Sequence, residues 1–243
     1  MKYNDNFNVL LSTQWKSEYL GQGNPNSKIL LINKEHGFNN PNQRELEIVH
    51  NWNQWNSDEL EEGYHPRYCY RNRGQRFIQK PNNGGTSPTW MAFQKFINKV
   101  YPNAKINKNE LLNFFDYCFI SELSTCNRAM SDRRSEDTQQ SINHRLKNAN
   151  GILRQRFYQS FPIIILDCHH YIDANMYNIK IEQLFDQHFV ECINLPNHEF
   201  INIHRNGNRM LLHTNHFSMR SDYFLQKVAD LCKEHLDKID STL

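Results

Sequence analysis

Four apolar runs in this chain each break abruptly into a cluster of polar side chains able to do chemistry: SKILLINKEHGFN (27–39), FDYCFISELST (115–125), FPIIILDCHHY (161–171) and RMLLHTNHFSM (209–219). Runs of this kind, rich in Ile and Phe and bounded by loop and turn formers, read as strands buried on both faces. Ligands of an open α/β sheet bind in the crevice beyond the carboxyl ends of the strands. The layout therefore predicts a site where the four polar clusters gather.

Between the runs the pattern turns helical. One helix is expected around Leu10 to Leu20, after which GQGNPNS leads into a strand at 28–33, and Pro41 to Trp55 carries helical spacing. GGTSPTWMAFQKFINKVY (84–101) reads as a loop feeding a helix, with Ser87 or Thr89 as cap and Trp90, Phe93, Ile97 and Val100 on one face. A helix over 141–161, a β-rich stretch around Val190 to Ile203, and a last helix over 218–239 with Phe224, Val228, Leu231 and Leu236 inward complete the order. The economical architecture is a three-layer α/β/α sandwich with a mainly parallel central sheet. It is expected to form as a single α/β domain over 1–243 with a basic, aromatic excursion at about 56–85.

The length and the 38% hydrophobic content support a sizeable core. With Lys+Arg 28 against Asp+Glu 26, any nucleic-acid partner must be met by a local basic surface. The six cysteines form no CxxC pair and read as reduced, mostly buried thiols. No stretch has the shape of a signal peptide or the roughly 18–20 apolar residues that span a membrane, so a cytoplasmic protein with no membrane partner is expected. No obligate protein partner is inferred. The chain contains no GxSxG, GxxxxGK[ST] or GxGxxG, which argues against a serine hydrolase and against P-loop or dinucleotide binding.

The excursion is the strongest nucleic-acid signal. From Tyr64 to Lys80, YHPRYCYRNRGQRFIQK carries Arg67, Arg71, Arg73 and Arg76 among Tyr64, Tyr68, Tyr70 and Phe77, with no acidic residue. Guanidinium groups meeting phosphates and rings stacking on bases make a groove that tracks a strand. The plain alternative is an exposed irregular segment whose tyrosines cover a neighbouring helix. Thr86 and Ser87, at the amino terminus of the following helix, are candidates to hold a phosphate on free N–H groups, against the simpler reading of a capped amphipathic helix.

The clusters, taken together and in order, resemble the uracil-DNA glycosylase superfamily. LLINKEHGFN is similar to the family's water-activating loop, Gly-polar-Asp/Glu-Pro-Gly, with Asn33 at the first glycine, Lys34 next, Glu35 as the acid, His36 at the proline and Gly37 at the second glycine. GGTSPTW resembles its small-residue loop before a helix, CFISELS the strand carrying a base-reading Asn, and IIILDCHHYI the strand ending in a small-residue turn. RMLLHTNHFSM resembles its apolar strand ending in His-Pro-Ser. Departures occur at Asn33, at His36, at Ser121 and Glu122 in place of the Asn, and at Thr214 in place of the proline after His213.

The resemblance implies a DNA glycosylase-like protein that binds single- or double-stranded DNA and hydrolyses the N-glycosidic bond of uracil or another altered base, with no cofactor. Charge builds positive on the sugar and negative on the departing base, so the site needs an anionic or water-orienting group and a donor at the leaving base. Glu35 is expected in the first role and His213 or His216 in the second. Asn33, Phe38, Ser121 and Glu122 are expected around an extruded base, with Phe38 stacking on it. As an acceptor only, Glu122 would favour a base offering amino or imino donors. Two alternatives stay open. One is a metal-dependent nuclease drawing on Glu35, His36, Glu122, Asp167, His169, His170, His213 and His216. The other is a non-catalytic nucleic-acid-binding module on the same fold.

Overall fold

The computed structural model describes residues 3–13, 15–35, 42–56, 87–104, 112–126, 134–172 and 181–241. His36, Phe38, Thr86 and the whole basic excursion with Arg67, Arg71, Arg73 and Arg76 lie outside them.

The chain is a mixed α/β protein built on a sheet with seven strands among the described residues. Its strands are β1 (Gln22–Gly23), β2 (Ile29–Asn33), β3 (Phe119–Glu122), β4 (Ile163–Asp167), β5 (His188–Leu195), β6 (Glu199–Asn206) and β7 (Arg209–Thr214), in the order β1-β3-β2-β4-β7-β6-β5. The four apolar runs form the parallel centre, β3-β2-β4-β7, and β2 and β4 are buried along their whole length. A mainly parallel sheet is the wrong description, however. β1 joins β3, β6 joins β7 and β5 joins β6, all antiparallel, so the sheet is mixed. The reason is local: β6 and β7 are linked by a tight turn at Gly207, whose φ of 57° suits a hairpin, and a hairpin cannot make a parallel pair.

β1 is legible only from the glycines around it. Gly21 and Gly23 have φ of 125° and 98°, and a Cβ there would stand 2.4 Å from the Ile120 carbonyl oxygen and 2.3 Å from that of Cys118. Only residues without a side chain let this segment lie so close to β3.

The helices are α1 (Asp5–Ser12), α2 (Asn42–Asn56), α3 (Pro88–Val100), α4 (Glu136–Ile142), α5 (Arg156–Gln159), α6 (Ile181–Phe185) and α7 (Asp222–Asp240). The first begins and ends earlier than its apolar spacing suggests. The Asn4 side chain caps it by accepting from the Phe7 N–H at 2.8 Å, and the backbone leaves the helix at Thr13. α3 and α7 are as expected, capped by Ser87 and Ser221. The helix expected over 141–161 is instead broken. α4 runs into one π-type turn at Asn143–Lys147, and α5 starts afresh after Gly151. The turn carries Arg145 inward to a buried ion pair with Glu18, and Arg145 Nε donates to the Glu122 carbonyl at 3.1 Å.

Aromatic rings form much of the core. Phe7 of α1 and Phe157 of α5 meet in a tilted pair at 4.7 Å, and both lie against Phe119 of β3. Phe93 and Phe96 of α3 and Phe224 of α7 surround Phe217, which follows β7. Cys118, Cys168 and Cys232 are buried free thiols, and Cys192 is exposed. No helix among the described residues is long and apolar enough to cross a membrane.

Candidate functional site at the carboxyl end of the parallel strands

In the central sheet β2 pairs with β3 on one side and β4 on the other, so the strand order reverses about β2, the kind of switch point beyond whose carboxyl end open α/β sheets form their binding crevice. Asn33 pairs with Asp167 at that end, and the parallel register puts both side chains on one face of the sheet. Both are buried. Asn33 Oδ1 and Asp167 Oδ2 have no hydrogen-bond partner among the described residues.

Glu35 and His216 come to the same end of the sheet. Glu35, two residues beyond β2, is 5% exposed, and its Oε1 accepts a 3.0 Å hydrogen bond from the Tyr171 hydroxyl. Tyr171 closes the 3₁₀ turn His169–Tyr171 that follows β4, and Lys34 Nζ lies 5.5 Å from the centre of its ring. His216, two residues beyond β7, has Nε2 3.8 Å from Asp167 Oδ2. Its Nδ1 accepts from the Ser218 backbone N–H at 3.3 Å, which leaves the proton of the neutral ring on Nε2, facing Asp167. Asp167 Oδ1 accepts a 2.6 Å bond from the Phe217 N–H, and Arg220 Nε donates to the His216 carbonyl at 3.2 Å.

Burial governs the charge states here. It pushes the Asp167 carboxyl well above its ordinary value, opposed by the Phe217 N–H and by the charges of Lys34 and Arg220. It pulls His216 down to about 3, and Lys34 and Arg220 act in the same direction. At neutral pH His216 is thus a neutral imidazole presenting N–H, flanked by two cations.

The other expected residues are placed differently. His213 lies one position before the end of β7, and its register partner on β4 is Leu166, so it points to the face opposite Asp167. Both of its ring nitrogens are engaged: Nε2 donates to the His169 carbonyl at 2.6 Å and Nδ1 accepts from Asn202 Nδ2 at 3.3 Å. The His169 carbonyl reaches it through a left-handed backbone at φ 49°. Ser121 pairs with Ile32 and so lies on the face opposite Asn33. Glu122 is buried in an ion pair, with Arg44 Nη2 2.5 Å from its Oε2, and Arg44 also stands over the Tyr19 ring. Asn33 and Glu122 are register partners and share one face, while Ser121 faces the other, so the three do not converge on one base edge. Ser87 is spent as the cap of α3, accepting from the Trp90 N–H at 3.2 Å.

Sequence alone marks Asp167 only as a potential metal ligand, and it assigns Lys34, Tyr171 and Arg220 no part in the chemistry. Asp167 carries a signal nonetheless, as a carboxylate closing a fully apolar strand. Tyr171 and Arg220 carry none, because their places depend on the turns after β4 and β7. As for a metal centre, no group of three or more His, Cys, Asp or Glu side chains among the described residues is arranged to hold an ion. No protein-family model, characterised protein or solved structure matches the chain.

Proposed function

We propose that this protein is a DNA glycosylase-like hydrolase on a three-layer α/β/α scaffold, cleaving the N-glycosidic bond of uracil or another altered base in a bound nucleic acid. The reading rests on one observation above the rest: His216 is a partly buried neutral imidazole whose N–H lies beside Asp167, at the end of the sheet where Glu35 is also found.

A departing base accumulates negative charge before it is protonated. A neutral N–H donor stabilises that charge without a full proton transfer, and burial makes the bond stronger than it would be in water. Glu35, steadied by Tyr171, orients the water that attacks the sugar carbon as the bond breaks. Lys34 and Arg220 supply positive charge for the flanking phosphates, and the excursion at about 56–85 supplies the longer basic track. Asp167 is a positioning residue: its Phe217 bond fixes the turn that carries His216.

A second reading, a nucleic-acid-binding module without excision, is favoured by the ion pair that ties Glu122 to Arg44. End-labelled oligonucleotides bearing uracil, hypoxanthine or other altered bases separate the two. Incubated in chelator and then treated with alkali, they should break at the altered base with wild type and not with Glu35→Gln or His216→Ala. Tight binding without breaks on any substrate would leave only the binding module.

A further inference from the structure

We propose that a second site, on the opposite face of the sheet from Asp167, binds a neutral planar heteroaromatic compound of nucleobase or nucleoside size. It does not depend on the excision reading. The antiparallel half of the sheet carries a cavity of about 1060 Å³, large enough for a base with its sugar. Register fixes its floor. Asn202 and His204 of β6 pair with His213 and Leu211 of β7, and Phe189, Cys192 and Asn194 of β5 pair with His204, Asn202 and Phe200, so alternate residues of both strands face the cavity. The turn after β4 and the start of α6 contribute His170, Ile172, Ile181 and Glu182.

Three features define the ligand. The walls are flat rings: Phe200 lies nearly parallel to His170, with centroids 5.9 Å apart and planes at 25°, and Phe189 meets His204 edge-on at 5.5 Å. Such walls suit a planar π-system. Between them stand groups that bond within the plane of a ring, the Asn202 and Asn194 amides and the His204 imidazole. His204 is 5% exposed and its Nδ1 has no hydrogen-bond partner among the described residues, an arrangement that costs free energy unless a ligand completes it. Finally, no Lys or Arg is among the described residues that line the cavity. A phosphate would lose its hydration there without gaining a cation, so the ligand is an uncharged base or nucleoside.

His204 is suited to such a ligand. Burial lowers its pKa, opposed chiefly by Glu182, so the ring is neutral and offers one donor and one acceptor.

Cys192 makes the site testable without disturbing it, because it lines the cavity and is an exposed free thiol. The intact protein is treated with iodoacetamide while adenosine, uridine, adenine or uracil is titrated in, and alkylation of the Cys192 peptide is followed by mass spectrometry beside calorimetry. At least one of these probes should slow alkylation roughly five-fold or more at saturation, and AMP should bind at least about ten-fold more weakly than adenosine if adenosine is that probe. Phe200→Ala and His204→Ala should each weaken binding about ten-fold or more, while Glu35→Gln should leave it unchanged. Absence of protection by all four probes at millimolar concentration would overturn the proposal. So would AMP binding as tightly as adenosine, or loss of binding in a folded Glu35→Gln protein, which would put the ligand in the crevice. Failure of base excision with Cys192 protection intact would leave this site standing.

Discussion

His213 and His216 stand three residues apart at the end of β7, yet one commits both ring nitrogens to the scaffold and the other keeps its Nε2 proton facing the buried carboxyl of Asp167. Alternation along the strand sends His213 to one face, and the turn beyond Thr214 returns His216 to the side of Asp167.

The two histidines should therefore fail differently. His213→Ala strands the His169 carbonyl and is expected to lower unfolding free energy by roughly 1–3 kcal/mol, with excision per folded molecule largely kept. His216→Ala should lower kcat about 10²–10³-fold with little loss of stability. Urea denaturation beside single-turnover excision reads both quantities, and a catalytic loss confined to His213→Ala would reverse the assignment.

The Asp167 and His216 pair has its own pH signature. In the unfolded chain between about pH 4 and 6.5 the carboxyl is ionised and the imidazole protonated. In the folded protein burial opposes both charges, raising the Asp167 carboxyl well above its ordinary value and lowering His216 to about 3. Wherever Asp167 keeps its proton within that window, folding moves a proton without net uptake and the pair adds no slope to stability. On its own the raised Asp167 carboxyl contributes stability that is lost as pH climbs through its folded pKa. Asp167→Asn leaves only the depressed His216, which must charge on unfolding. That variant should lose stability relative to wild type as pH falls from about 6.5, at up to about 1.4 kcal/mol per pH unit. Thermal or urea unfolding between about pH 4.5 and 6.5 measures the difference, and a constant offset between the two proteins would refute the pairing.

Arg44 and Glu122 test how much the loop regions depend on buried charge. Burial works to lower the Arg44 pKa, but Glu122 and Glu47 outweigh it and the guanidinium is held above its usual range. Removing one partner leaves the other buried and unpaired, so Arg44→Met or Glu122→Gln alone should cost roughly 3–5 kcal/mol. The double variant should recover much of that. A double-mutant cycle by chemical denaturation gives the coupling, and simple additivity would show that the pair is not acting as a unit.

The basic excursion should reveal itself through salt. Changing Arg71 and Arg73 together to Gln is expected to weaken oligonucleotide binding on every sequence alike. For duplex DNA the slope of log K against log salt should become shallower by about 0.9 for each phosphate no longer neutralised. Fluorescence anisotropy between low and moderate salt measures it, and an unchanged slope would place the cations that meet the DNA backbone elsewhere.

The centre of this fold is legible in the chain because each central strand is a nearly uninterrupted apolar run, and so is the end of the sheet where chemistry gathers. The hairpin of β6 and β7 and the short β1 are less so, since they depend on a turn at Gly207 and on the close approach that Gly21 and Gly23 permit. The site is legible in part. Glu35 and His216 stand out as polar groups just past apolar strands, but which of two neighbouring histidines faces the crevice is decided by register, and register is a property of pairing. Glu122 shows the same limit: nothing near it in sequence announces Arg44, which is 78 residues away.

The order of strands also sets when the protein becomes competent. β2 lies beside β4, with Ile29 against Ile163, and β7 fills the place between β4 and β6. A ribosome delivers β7 last of the seven, and His216 emerges two residues behind it. A nascent chain therefore acquires its closing strand and its imidazole donor almost together, which leaves little room for an unfinished product that is folded, or a folded one that lacks the donor. Non-local pairing of this kind also makes for slow folding, so the interval before β7 docks is when the exposed apolar strands most need protection from one another.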